Sequence, residues 1–125
     1  NFVLDCFERM LGGEIFVPKI PSVRIIDLAK AMAPGIPIKI IGIRPGEKLH
    51  EVMCPSDDSH LTIEYEKFYV ISPSIIFYSR KMDFTENALG EKGVPVALGS
   101  DYTSGTNSNF MSVEDIKLFN NSNGF

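Results

Sequence analysis

The feature that most constrains the fold is an apolar run, 38–43, which ends abruptly in the tetrapeptide Arg44-Pro-Gly-Glu47. Its four isoleucines are β-branched and suit a pleated surface, so the run predicts a buried strand. Proline followed by glycine then predicts a turn directly after that strand. Because ligands of α/β proteins commonly bind where strands end, Arg44 and Glu47 are candidate binding residues.

The chemistry of these two side chains suits a nucleotide diphosphate. An arginine fork matches a phosphate or carboxylate at two points, and a carboxylate three residues later can accept hydrogen bonds from vicinal ribose hydroxyls. An alternative is that Arg44 and Glu47 pair with each other or cap the segment that follows. Spacing alone leaves both interpretations open.

The first half of the chain predicts alternating helices and strands, which is typical of an α/β layer. Ser22 is expected to cap the second helix, and Gly12 and Gly13 to end the first. The predicted elements are a helix from Phe2 to Met10, a strand at 14–17, a helix at 23–33, the strand at 38–43 and a short helix at 47–53.

The second half predicts a hairpin and a terminal helix. Alternating residues at 61–65 and the apolar run 68–71 indicate two strands, with Glu66-Lys67 at the tip. A further strand is predicted at 75–78, and the polar stretch 99–109 is expected to be a loop. Ser112 suits the N-cap of a last helix whose apolar face is Ile116 and Phe119.

These elements give a domain plan for the whole chain. The predicted fold class is α/β, or α+β if the chain is an isolated piece. We predict one C-terminal substrate-binding domain, 1–125, with four parts. They are an α/β part at 1–58, a β-hairpin region at 59–78, a loop-rich part at 79–111 and a terminal helix at 112–120.

Charge and composition exclude several classes of function. A net charge of −4 with scattered basic residues argues against nucleic acid as a partner. No apolar run approaches the roughly 20 residues that span a bilayer, so no membrane partner is expected. Cys6 and Cys54 are expected to be reduced, buried thiols in a cytoplasmic protein, and no spacing of Cys and His predicts a metal site.

The motifs of a complete active site are absent from the sequence. A dinucleotide-binding loop needs three glycines at fixed spacing after a strand, and none of the 10 glycines satisfies it. No Tyr is followed four residues later by Lys. We therefore expect no catalytic residue and no cofactor-binding residue in this chain.

The first residues, Asn1 to Met10, resemble the end of a helix rather than a signal peptide. We therefore expect the chain to be the C-terminal piece of a longer protein. Apolar side chains such as Phe7, Phe16 and Ile26 would then lose their usual cover. We expect self-association, with a homo-oligomer as its outcome.

Several stretches together resemble the C-terminal region of the inverting UDP-N-acetylglucosamine 4,6-dehydratases. This group belongs to the polysaccharide-biosynthesis branch of the extended short-chain dehydrogenase/reductases. The run 41–53, Ile-Gly-Ile-Arg-Pro-Gly-Glu-Lys-Leu-His-Glu-Val-Met, is the most specific of these stretches. The others are Gly12–Ser22, Asp27–Ala31, Ser59–Leu61, Tyr102–Ser104 and Met111–Lys117.

The resemblance implies an enzyme whose catalytic chemistry is performed by residues outside this chain. Such enzymes hold NADP(H) in an N-terminal Rossmann half, oxidise C4 of the sugar, eliminate water across C5 and C6, and return hydride to C6 with inversion at C5. The product enters surface polysaccharide, pseudaminic acid or flagellin glycan synthesis. By this resemblance Arg44 contacts the diphosphate and Glu47 the uridine ribose.

Two hypotheses of different classes follow. In the first, the chain is the UDP-sugar-binding part of a nucleotide-sugar dehydratase and is inactive without the Rossmann half. In the second, it is an autonomous, non-catalytic domain that binds a partner or a glycan.

Overall fold

The structure, a computed structural model, describes residues 1–75 and 82–123. Within those residues it contains helices, short strands and one 3₁₀ turn, Ser56–Leu61. The helices are α1 (Phe2–Arg9), α2 (Ile25–Met32) and α3 (Val113–Asn123). The strands are β1 (Ile15–Pro18), β2 (Val52–Cys54), β3 (Thr62–Glu64), β4 (Phe68–Ile71), β5 (Val94–Pro95) and β6 (Tyr102–Thr103).

The chain forms two compact units, and each is assembled from two separate stretches. Unit 1 contains Asn1–Lys19 and Val52–Thr103. Unit 2 contains Ile20–Glu51 and the chain from Ser104 onward. No helix in the described part of either unit is long and apolar enough to cross a membrane.

Unit 1 is organised around an antiparallel sheet with the strand order β1-β4-β3-β5. A second, two-stranded sheet pairs β2 with β6. The predicted hairpin is confirmed: β3 pairs with β4, and the Tyr65 N–H donates to the Phe68 carbonyl across the tip at 2.9 Å. The predicted strand at 14–17 is also confirmed, one residue further along the chain as β1.

Phe68 lies at the centre of the unit 1 core. It is 7% exposed, and its ring stacks on Tyr65 with centroids 4.8 Å apart. Phe16 and Phe2 contact the same ring at 5.5 and 6.3 Å. Helix α1 is therefore fixed to the sheet through its apolar side, and Phe16, expected to be exposed, is half-buried.

The ends of α1 follow the charge pattern of a stable helix. The Asn1 side chain accepts from the Val3 N–H at 3.3 Å, Asp5 lies in the first turn and Arg9 in the last. The predicted helix from Phe2 is thus confirmed. Its other side remains exposed, with Phe7 at 66% exposure, as expected.

Unit 2 contains α2 and α3, which pack against each other. The predicted start of α3 is confirmed: Ser112 Oγ accepts from the Asp115 N–H at 3.2 Å, and Asp115 accepts from the Ser112 N–H at 2.9 Å. Ile116 is buried, as predicted, but the assignment of Phe119 to the apolar face is wrong, because its side chain is mostly exposed.

The strand predicted at 38–43 is wrong. The run belongs to no strand, and its isoleucines are exposed, Ile40 at 80%. A strand needs a partner for its backbone N–H and C=O groups, and no segment within 1–75 and 82–123 pairs with this run as a β-ladder. The local sequence identified residues that favour a strand, but it could not show whether a second strand lies beside them.

The helix predicted at 47–53 is also wrong, since the segment is irregular and its end enters β2. Val52 pairs with Thr103 and Cys54 with Tyr102, and this pairing with β6 places 52–54 in a strand. The polar stretch 99–109, expected to be a loop, therefore includes the short strand β6. The strand predicted at 75–78 lies largely outside the described residues.

The N-cap assigned to Ser22 is wrong. Helix α2 begins at Ile25 after Arg24, without a side-chain cap. The Ser22 hydroxyl instead accepts from Asn107 Nδ2 at 3.0 Å, and its backbone N–H donates to the Asn109 carbonyl at 2.8 Å. A distant partner in the sequence thus outcompetes the local capping interaction.

Both cysteines are free thiols, Cys54 buried and Cys6 partly so. Burial raises the pKa of Cys54 to about 11, with a smaller contribution from the Asp58 charge. The thiol is therefore protonated near neutral pH and packs as an apolar side chain in unit 1.

Candidate functional site

The candidate site is a tight turn formed by Arg44, Pro45, Gly46 and Glu47. The Glu47 N–H donates to the Arg44 carbonyl at 3.1 Å, which closes the turn. Gly46 has φ +80°, in the left-handed region that the third residue of a type II turn requires. Proline before glycine is the residue pair that favours this turn, so the sequence sets its geometry locally.

The Glu47 carboxylate folds back onto Arg44. Glu47 Oε2 accepts from the Arg44 backbone N–H at 2.9 Å, and Glu47 Oε1 lies 3.3 Å from Arg44 Nη2. The two predicted site residues therefore contact each other, as the pairing alternative anticipated. Their side chains are 77% and 42% exposed, so the ion pair itself adds little to stability.

This pairing leaves much of both groups available for a ligand. A guanidinium has five N–H donors, and the contact with Glu47 engages Nη2. A carboxylate has about four acceptor positions, of which Arg44 engages two. Mutual pairing and ligand binding are thus compatible, and the pairing restricts the orientation of both side chains.

Contacts with Arg44 hold the pKa of the Glu47 carboxyl below its ordinary value. The backbone N–H of Arg44 contributes most, its guanidinium contributes next, and slight desolvation opposes both. Because the folded-state pKa is depressed, the contact is fully present above the ordinary pKa of 4.5 and is lost as pH falls through the folded value. Near neutral pH Glu47 is an acceptor only.

We expect Arg44→Ala to raise the Glu47 pKa only part of the way to its ordinary value. The larger cause, the backbone N–H, survives the substitution. Carbon-13 NMR titration of the Glu47 carboxyl measures this directly. Lys48→Ala is the control, since it removes the neighbouring cation and should leave the Glu47 pKa unchanged. An ordinary pKa in the unmodified chain would contradict the described turn.

The two histidines do not form part of this turn. His60 Nδ1 lies 3.0 Å from the Asp57 carbonyl in the 3₁₀ turn of unit 1. His50, expected on a helix, lies instead in an irregular segment, with its ring against Gly105. Among residues 1–75 and 82–123, no three side chains of His, Cys, Asp or Glu are grouped as a metal would require.

Sequence reasoning missed a cleft of about 300 Å³ in unit 1, beside Tyr69 and Tyr102. Tyr69 donates to Glu64 Oε1 at 3.4 Å, and Lys19 Nζ lies 2.6 Å from the same oxygen. Burial, with the Glu64 charge second, raises the pKa of Tyr69 to about 12. The hydroxyl is neutral near pH 7, so the cleft lacks an activated base at this position.

A comparison of sequence profiles decides the family. The profile described as "Polysaccharide biosynthesis protein" matches residues 1–73, which include the whole Arg44–Glu47 turn.

The chain belongs to the polysaccharide biosynthesis protein family.

Two relatives of this chain have a more specific name than the family does. An inverting UDP-N-acetylglucosamine 4,6-dehydratase from Campylobacter jejuni serotype O:2 is 57% identical over 126 residues. Its counterpart from serotype O:23/36 is 55% identical over the same length. Each alignment covers 100% of this chain and 38% of the relative, so the chain spans about two fifths of their length.

A solved structure supports the expected fold class. Pen from Bacillus thuringiensis aligns with 97% of this chain and 34% of its own, with a TM-score of 0.67 and 22% sequence identity. The described residues thus share their mixed helix and strand fold with this structure, and the predicted fold class is confirmed.

Proposed function

We propose that this chain is the UDP-sugar-binding C-terminal part of an inverting UDP-N-acetylglucosamine 4,6-dehydratase. The observation that carries the proposal is the Arg44–Glu47 turn, which holds a guanidinium and an ionised carboxylate side by side at the surface. Identity of 57% across the entire chain to a protein of that name favours this function over an autonomous binding domain.

In this proposal Arg44 binds the diphosphate. Its guanidinium is highly exposed, and the N–H groups not directed at Glu47 can form two parallel bonds to phosphate oxygens. Pairing with Glu47 reduces the freedom of a long side chain before the ligand arrives, which lowers the entropic cost of binding.

Glu47 binds the ribose of the uridine. Its low pKa keeps the group ionised, so both oxygens accept hydrogen bonds and neither donates. Vicinal hydroxyls can occupy the acceptor positions that Arg44 leaves available. The turn places the two functional side chains three residues apart and in contact with each other, so both can face one ligand.

The cofactor NADP would be held elsewhere in the protein. This sequence contains no glycine-rich dinucleotide loop, so its own residues do not fit that cofactor. Oxidation at C4, dehydration and reduction at C6 are accordingly assigned to a Rossmann half outside this chain. The product would enter surface polysaccharide, pseudaminic acid or flagellin glycan synthesis, in the cytoplasm.

The exposed apolar surface supports a large partner for this chain. Ile41 in unit 2 is 77% exposed, and Phe7 on α1 is also mostly exposed. Where exposed apolar side chains form a contiguous patch, they mark an interaction site. We assign it to the Rossmann half of the same protein and to contacts between subunits of a homo-oligomer.

Turnover separates this function from the alternative of a non-catalytic domain. We expect the full-length protein to convert UDP-N-acetylglucosamine to its 4-keto-6-deoxy product without added metal. The 125-residue chain with added NADP⁺ should show no turnover, because it lacks the catalytic tyrosine and lysine. Product formation followed by mass spectrometry measures both. Turnover by the short chain would refute the assignment of chemistry to the other half.

A further inference from the structure

We propose that Ser104 and Gly105 are positioning residues that orient the Arg44–Glu47 turn for its ligand. The proposal rests on the proposed function, because it concerns the same binding turn. All of the contacts involved lie within unit 2. They join the segment after the turn to a loop more than 50 positions away in the sequence.

Ser104 holds the end of the segment through a reciprocal pair of hydrogen bonds. The Ser104 N–H donates to the Glu51 carbonyl at 2.8 Å, and Ser104 Oγ accepts from the Glu51 N–H at 3.0 Å. Both backbone polar groups of Glu51 are thereby fixed. Only three residues, 48–50, separate Glu51 from Glu47, so this anchor restricts where the turn can point.

Gly105 provides the space that His50 occupies. A Cβ built on Gly105 would lie 2.8 Å from His50 Cγ and Nδ1 and 2.9 Å from Cδ2. Real Cβ atoms do not approach ring atoms so closely, so any larger residue would force the His50 ring to shift. Glycine at position 105 therefore leaves the space that the imidazole of His50 occupies.

The loop that carries Ser104 and Gly105 is itself fixed to the start of unit 2. Asn107 Nδ2 donates to the Ile20 carbonyl at 2.8 Å and to Ser22 Oγ at 3.0 Å. Asn107 Oδ1 accepts from the Asn109 N–H at 3.0 Å. The loop that carries Ser104 and Gly105 is thus bonded both to the start of unit 2 and to the segment after the binding turn.

The first test is UDP affinity in the full-length protein, measured by calorimetry. Ser104→Ala should weaken UDP binding by about three- to tenfold, the loss of one hydrogen bond. Ser104→Thr keeps the hydroxyl and should restore most of the affinity. In turnover assays Ser104→Ala should raise KM for the UDP-sugar and leave kcat nearly unchanged.

The second test uses the contact between Gly105 and His50. Gly105→Ala should weaken UDP binding about tenfold. In a His50→Ala background the same substitution should have almost no effect, because the ring that it would displace is gone. An equal loss in both backgrounds would overturn the proposal, since it would place the effect somewhere other than this contact.

These outcomes can be told apart from failure of the proposed function. If Arg44→Ala leaves UDP affinity unchanged, the binding turn itself is wrongly assigned. If Arg44→Ala weakens binding while Ser104→Ala and Gly105→Ala do not, the turn binds UDP and the positioning role is wrong. Thermal unfolding of each variant identifies general destabilisation, which would lower kcat together with affinity.

Discussion

Replacing Arg44 with alanine is expected to weaken UDP binding by about 1.5–3 kcal/mol, the usual value of a hydrogen bond to a charged group. This corresponds to a loss of roughly 10- to 150-fold in affinity. The guanidinium is highly exposed and its ion pair adds little to stability, so folding should be unaffected. Calorimetric titration of UDP into the full-length protein measures the loss.

Two further variants make this result specific. Arg44→Lys keeps the charge but loses the planar fork, so its affinity should lie between those of the unmodified protein and Arg44→Ala. Lys30→Ala is a matched control, because Lys30 also forms an exposed ion pair three residues from its partner, with Asp27 at 4.0 Å. Equal losses for Lys30→Ala and Arg44→Ala would indicate a general charge effect.

Replacing Phe68 with alanine is expected to destabilise unit 1 by about 3–5 kcal/mol, the range for removing a buried aromatic ring. Its ring is 7% exposed and contacts three other aromatic rings. Removing the ring would therefore leave a cavity that a shift of one neighbour cannot fill. Urea unfolding followed by tyrosine fluorescence measures the change in the free energy of unfolding. Phe68→Leu fills more of the space and should cost less.

Phe7→Ala provides the matched control for this prediction. It removes the same atoms from α1, where the ring is 66% exposed, and should change the free energy of unfolding by less than about 0.5 kcal/mol. Comparable destabilisation by the two substitutions would show that the Phe68 ring is not the centre of the core. The full-length protein provides a second comparison. There, any residues that cover Phe7 should increase the destabilisation caused by Phe7→Ala.

Most of the elements that the sequence predicted correctly are determined by neighbouring residues, although β1, also predicted, pairs with the distant β4. Helix α1, the hairpin of β3 and β4, and the cap of α3 at Ser112 all depend on contacts within a few positions. The wrong predictions depended on distant partners. The run 38–43 has strand-forming residues without a strand beside it, and Ser22 is engaged by Asn107, 85 positions away.

The candidate site also combines features set by neighbouring residues with features set by distant ones. Proline and glycine specify the turn between Arg44 and Glu47, so its position and the pairing alternative could be predicted locally. The roles of both residues toward UDP remain predictions. The anchor at Ser104 could not be predicted, because 53 positions separate it from Glu51 and no local pattern links them.

The interleaving of the two units has a consequence for how the chain folds as it is synthesised. Unit 1 starts within the first 19 residues but needs β4 before β1 gains its neighbour, and it is complete only at Thr103. Unit 2 waits longer still, because α2 packs on α3. Pairing between segments so far apart in the sequence favours slow folding, so a nascent chain would expose its apolar segments to chaperones until the later segments had emerged.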